Sequence, residues 1–258
     1  MSELALTLRQ VRYTNKAFWR NPAAAFFTFA FPLMFLVIFT TLFGSGTVTI
    51  NGRELNQSTY YVAGMAVFAM ITACYTNLAI GVSFQRDAGI LKRTRGTPLP
   101  GRSYLGARVV HVVLMAMILV TICALFGWAF YEAVLPTGVD LFRTVAVVVV
   151  GSASFAALGL AITPAIPNAD AAPAVVNATI LPLLFISGIF FPISDTAPQW
   201  IDTVSKFFPV RHLVDAFLGA FYGLPNFAFS WTDVLIIAAW GVVGLALAIR
   251  FFSWEPRR

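Results

Sequence analysis

AAAFFTFAFPLMFLVIFTTLF, Ala23 to Phe43, runs for 21 residues without a charge. A helix needs about 20 predominantly apolar residues to cross the hydrocarbon of a bilayer. No backbone group can go unpaired there, so the run reads as a transmembrane helix. It is longer than the ~7–15-residue apolar core of a secretory signal. It also contains Pro32, and no clear small-residue cleavage site follows it, so a retained first span is expected. Working outward, five more runs qualify: Tyr60 to Phe84, Val109 to Phe130, Thr144 to Ile162, Ala171 to Phe191, and Val234 to Phe252. Pro32, Pro173 and Pro182 fall within runs, where neighbouring helices can cover a kink. Turn-rich or charged segments such as Gly44 to Gly52 and Pro136 to Asp140 separate them.

Composition agrees. Hydrophobic residues make up 59% of the 258 and charged residues 11%, against about 25% charged in a soluble domain. That is too few charges for a water-facing shell, and the 25 Phe exceed what one small core buries, so apolar surface must face lipid. The expected fold class is an all-α integral membrane protein with six transmembrane helices.

Charge sets the expected orientation. With the N-terminus inside, the inner side collects Arg9, Arg12, Lys16, Arg20, Arg86, Lys92, Arg93, Arg95, Arg102, Arg108, Arg250, Arg257 and Arg258. The outer side keeps Arg53, Arg143, Lys206 and Arg211. This 13-to-4 split obeys the positive-inside rule and places both termini in the cytoplasm. The net charge of +6 sits beside apolar runs, not in an aromatic-interleaved patch, so anionic membrane lipid rather than nucleic acid is the expected partner.

Three segments are neither spans nor plain loops. Residues 1–22 form an expected cytoplasmic amphipathic helix ahead of a permease domain at 23–258. At about 100° per residue, Leu4, Leu8, Val11, Phe18 and Trp19 share one arc, and Arg9, Arg12, Lys16 and Arg20 the opposite one. The pattern suits a helix lying in the interface, or one packed on a partner. RDAGILKRTRGTPLP, Arg86 to Pro100, is the longest charged stretch, with Ile90 and Leu91 placed as a docking helix would place them. Pro98 and Pro100 end that helix. On the other side, Asp195 and Pro198 read as a helix start; Trp200, Val204, Phe207 and Phe208, then Val210, Val214, Phe217 and Phe221, repeat at helical spacing up to Gly223 and Pro225. Two short outer-leaflet helices within 195–223 fit this spacing, as does a folded external loop with its own small core.

Chemistry is sparse. Cys74 and Cys123 lie in apolar runs and read as small hydrophobes, and no Cys/His set has zinc spacing, so no metal site is expected. Asp195, Asp202, His212 and Asp215 are the candidates for an enzyme site on the outer face; Asp195 reads as a cap, and His212 with Asp215 as a surface pair. An ion-gradient-driven secondary transporter is the alternative reading, but it would use charges inside the spans. Here the spans are nearly clean: Arg108 and His111 sit near the cytoplasmic end of the third, Arg108 by snorkelling, and Asp170 at the entrance of the fifth. No Gly is followed by Lys, so the chain has no phosphate-cradling loop of the Gly-x-x-x-x-Gly-Lys type and is not expected to hydrolyse ATP. Asn77, Ser83 and Asn177 are polar spots that could line a path or bridge helices.

The charged loop resembles the one after the second span of type-2 ATP-binding-cassette exporter permeases. Arg86, Gly89, Leu91, Thr97, Pro98 and Leu99 match that pattern, while Gln85 stands where an acid is usual and Ile90 where Thr is common. LPLLFISGIFFP, Leu181 to Pro192, is similar to the fifth-span signature of the drug-exporter and nodulation-type branches. Trp200 and the Phe208-Pro209-Val210 turn also fit. The resemblance covers nearly the whole chain. It implies a coupling helix at 85–99 whose Arg86, Asp87, Gly89, Leu91, Lys92 and Arg93 meet an ATP-binding subunit. It implies an exit gate of Ser187, Gly188, Phe190 and Trp200. It also implies two ATPase subunits, which hold ATP and Mg²⁺ while this chain binds no cofactor. A second permease, the same or a homologous chain, would complete an exporter of drugs, antibiotics, peptides, lipids or lipid-linked glycans in a bacterial-type cell membrane.

Overall fold

The computed structural model describes residues 2–44, 46–50, 53–191, 198–222 and 229–255. Ser2 caps α1 (Glu3–Trp19) and Asn21 caps α2 (Pro22–Phe43), each side chain accepting from the backbone N–H three residues on. Pro22 sits in the first turn of α2, where its missing N–H costs nothing. The turn-rich stretch after α2 forms a feature the sequence reading missed: β1 (Thr47–Ile50) pairs antiparallel with β2 (Arg53–Asn56), Thr47 opposite Asn56.

Asn56 then caps α3 (Gln57–Ile71), which runs through a π-helical turn at Thr72–Asn77 into α4 (Leu78–Asp87). These form one rod of 31 residues, about 46 Å at 1.5 Å per residue. Every residue from Ser58 to Ile71 is buried, so the rod is the axis of the bundle. Its neighbours are α2, α6 (Gly101–Tyr131), α7 (Gly138–Ile162) and α10 (Pro209–Tyr222). A side chain at Gly159 of α7 would collide with the backbone of Cys74 and Tyr75, so glycine lets α7 close on the rod at its π turn. The most extensive helix pair is α7 with α11 (Trp231–Phe251), where Gly241 meets Ser154 and Gly244 meets Leu158. Small residues bring two helices close when lipid supplies no hydrophobic drive between them.

Among the described residues, five helical stretches are long and apolar enough to cross a membrane: Pro22–Phe43, Gln57–Asp87, Gly101–Tyr131, Gly138–Ala165 and Trp231–Phe251. Phe26, Phe27, Leu42, Val242 and Ile249 on α2 and α11 are among the many large apolar side chains left exposed. A membrane covers such surfaces; water would not tolerate them. The chain is thus an all-α multi-pass membrane protein apart from the β1–β2 hairpin. The run expected at Ala171 to Phe191 differs in length. It folds as α8 (Ala172–Ile186), about 22 Å long against a core of about 30 Å, and then turns at Gly188, where φ is +85°. Pro173, expected inside a span, sits in the first turn of α8.

Beyond this turn, Pro192, Asp195, Gly223 and Pro225 lie outside the described residues. α9 (Gln199–Phe207) and α10 take the two expected short helices, but their stripes face opposite ways. Val210, Val214, Phe217 and Phe221 of α10 are buried against the bundle, while Trp200, Val204 and Phe207 of α9 point outward. The segment therefore has no core of its own.

Candidate functional site

The charged loop is built by helix ends. α7 stops at a 3-10 turn, Thr163–Ala165, because Pro164 and Pro167 lack N–H groups. The carbonyls freed there need donors. Arg86, at the end of α4, supplies them: Nη1 donates to Thr163 O at 3.0 Å and Nη2 to Ile166 O at 2.9 Å and Pro167 O at 3.4 Å. Its Nε donates to Asp87 Oδ1 at 3.0 Å, and Asp87 Oδ2 accepts from Ala169 N at 2.6 Å. The two side chains staple the foot of the central rod to the connection between α7 and α8.

Gly89 then adopts φ +71°, a left-handed turn that starts α5 (Ile90–Arg95). α5 is two-sided: Leu91 is 0% exposed and Ile90 is 46% exposed, with Lys92, Arg93 and Arg95 also outward. Of the six residues grouped by the sequence, Arg86 (1% exposed) and Leu91 thus face the protein, while Lys92 and Arg93 face out and Asp87 and Gly89 are half-buried between them. Ile90, not Leu91, is the apolar residue that α5 leaves exposed.

α1 lies across α6, with Glu3 paired to Arg102 and Phe18 edge-on to His111 at 5.7 Å. The apolar arc read from the sequence divides in two. Phe18 and Val11 are partly covered, while Leu4, Leu8 and Trp19 remain exposed beside Arg9, Arg12, Lys16 and Arg20. An exposed apolar strip flanked by cations is what an interface helix presents to lipid. Tyr13 joins the basic side, and the neighbouring Arg9 holds its phenol below the usual tyrosine range.

At the far end of the rod, Tyr60 donates to the Gly188 carbonyl, and Gly64 allows Ile189 to pass over α3, since any side chain at position 64 would strike Ile189 O. Phe190 stacks among Phe39, Phe68 and Phe185 with ring centroids 5.7, 5.6 and 5.1 Å away. Ser187 is buried and donates to Leu184 O at 2.9 Å. Ser187, Gly188 and Phe190 therefore come together in one plug. Trp200, 64% exposed on α9, points outward rather than into it.

Among the polar spots, Ser83 is buried and donates to Ala79 O at 2.8 Å, Asn177 is half-buried on α8, and Asn77 is exposed in the wall of a cavity. Arg108 does not snorkel outward: it turns inward to Gln85 and to the Tyr104 hydroxyl. His212 pairs not with Asp215 but with Asp233 of α11, at 2.6 Å, and Asp215 pairs with Arg211. Asp202 holds Lys206. Among the described residues no three of His, Cys, Asp or Glu gather in one place, and sequence spacing could not have revealed the His212–Asp233 tie between α10 and α11.

The fold and this site define a multi-pass membrane protein with one strongly basic end, where the short helix α5 exposes Ile90, Lys92 and Arg93. The profile of the family described as ABC-2 type transporter matches residues 5–222, and the chain belongs to that family. It is 24% identical over 232 residues to the transport permease ycf38 of Porphyra purpurea, covering 90% of this chain and 78% of that protein. It is 22% identical over 229 residues to the transport permease YvfS of Bacillus subtilis (strain 168), covering 89% of each. To the inner membrane transport permease YadH of Escherichia coli (strain K12) it is 25% identical over 231 residues, covering 86% and 82%. The protein is thus a transport permease of the ABC-2 family, a type of membrane subunit that works with an ATPase partner.

Proposed function

We propose that this chain is the membrane half of an ATP-driven exporter, with both termini and α5 in the cytoplasm of a bacterial-type cell. A separate ATPase subunit, in two copies, holds ATP and Mg²⁺, and a second permease, this chain or a homologue, completes the path. The observation that carries the reading is the bracing of α5. Charge-assisted hydrogen bonds are roughly twice as strong as neutral ones. Through Arg86 and Asp87, a load on α5 passes both to the rod and to the α7–α8 connection. The rod ends at the Tyr60–Gly188 contact, so a push at Ile90, Lys92 and Arg93 reaches the Phe190 plug. A rigid lever between an ATPase and a gate lets closure of one open the other. The Phe-lined body, poor in charge, suits a lipophilic or amphipathic cargo: drug, antibiotic, lipid or lipid-linked glycan.

The test is purification of the tagged chain from its own cells in mild detergent, with mass spectrometry and ATPase assay of what accompanies it. A stoichiometric nucleotide-binding subunit is expected with the wild type and lost with Ile90→Asp. A variant that keeps both the subunit and export would overturn the lever. Recovery of the chain alone, under conditions that preserve other membrane complexes, would overturn the exporter reading.

A further inference from the structure

A cavity of about 310 Å³ lies between α1, α2, the rod and α6, near the basic end of the bundle. Much of its wall is apolar, yet Arg108, His111, Gln85 and Asn77 also face it. His111 is 6% exposed and its Nδ1 has no hydrogen-bond partner. Arg108 Nε is likewise buried without a partner. The Arg108 guanidinium donates to Gln85 Oε1 and the Tyr104 hydroxyl, both neutral, and lies over the Tyr104 ring at 5.1 Å. Among the described residues Arg108 forms no ion pair, whereas the nearby Arg86 is matched by Asp87. A cation turned into a membrane bundle is costly and calls for a counter-charge.

We propose that the missing counter-charge is the phosphate of an anionic phospholipid, whose head enters this cavity and is held by Arg108 with His111 and Asn77. Two features favour a lipid over a free anion. The wall is largely hydrocarbon, with Phe18 forming part of it, and α1 alongside exposes the apolar and basic strip of a helix lying at the lipid headgroups. An arginine fork matches phosphate oxygens in pairs and keeps its charge at any physiological pH. The site is separate from the plug and from α5, and its test needs neither ATP nor transport.

The experiment compares binding of phosphatidylglycerol and phosphatidylcholine to the purified chain by native mass spectrometry. Wild type should retain one phosphatidylglycerol at least tenfold more tightly than phosphatidylcholine. Gly81→Leu should lower that affinity at least tenfold, because Gly81 lines the cavity and a Cβ there meets nothing within 4 Å, so the longer side chain takes up the space of the lipid head. Gln85→Glu should do the same by supplying an internal carboxylate to Arg108. Arg102→Gln, at an exposed pair with Glu3 outside the cavity, should bind as wild type does. Equal retention of the two lipids, or undiminished phosphatidylglycerol binding in both cavity variants, would overturn the proposal. Displacement of the lipid by inorganic phosphate at equal concentration would also overturn it, assigning the site to a free anion.

Discussion

At the scale of single residues, burial separates neighbours that look equivalent in the chain. Arg86 and Arg93 are both basic residues of the same loop, but Arg86 holds three carbonyls and a carboxylate inside the protein while Arg93 stands in solvent. Removing one partner of a buried charged pair leaves the rest unpaired, at a cost of about 3–5 kcal/mol. Arg86→Met should therefore lower stability by about 3 kcal/mol, read as an earlier midpoint on titrating the folded protein with dodecyl sulphate. Arg93→Met should leave that midpoint unchanged and act only on partner binding. Ile90 and Leu91 divide the same way. Leu91→Asp would bury an unpaired carboxylate and damage the fold, so Ile90→Asp is the informative change for coupling.

At the scale of elements, the rod joins the charged loop to the plug, and its glycines report which neighbours it touches. At Gly64 an added side chain strikes the Ile189 carbonyl, and at Gly81 it meets nothing. Gly64→Ala should be destabilising by about 1–3 kcal/mol, the usual cost of overpacking a filled space. Gly81→Ala should be stabilising by about 0.5–1 kcal/mol, since it replaces a helical glycine without a clash. The same detergent titration distinguishes them, and equal effects would mean that Ile189 does not pass over α3 as described. Between these positions the π turn sits where Gly159 of α7 presses on the rod. Such turns often mark functional sites within helices.

At the scale of the whole molecule, the basic end and the end that carries α9 face opposite sides of the bilayer in the proposed orientation. Cys74 and Cys123 are both buried, so an introduced cysteine reports its own location against a silent background. Thr203→Cys on α9 should react with an impermeant maleimide in intact cells. Thr97→Cys, beyond α5, should react only after the cells are opened. The reverse pattern would turn the protein over and detach the charged loop from any cytoplasmic ATPase. The His212–Asp233 contact ties α10 to α11 at the far end, so the short helices move with the bundle rather than as a free external loop.

The sequence by itself determined that the chain lives in a membrane, roughly where its apolar helices lie, which end is basic, and which loop carries the motif of its family. Those features depend on the presence of apolar and charged residues along the chain, and composition records that directly. Tertiary structure alone decided which side of each element faces protein. In water the apolar face of a helix is its buried face, so periodicity reveals orientation. In a bilayer both the lipid-facing and the protein-facing sides are apolar, and that signal disappears. The stripes of α9 and α10 look alike in the sequence, yet one faces outward and the other is core. Arg108 likewise carries no mark in the chain of turning inward; only the packing of α6 against α4 and α1 shows that its charge has been left without a partner.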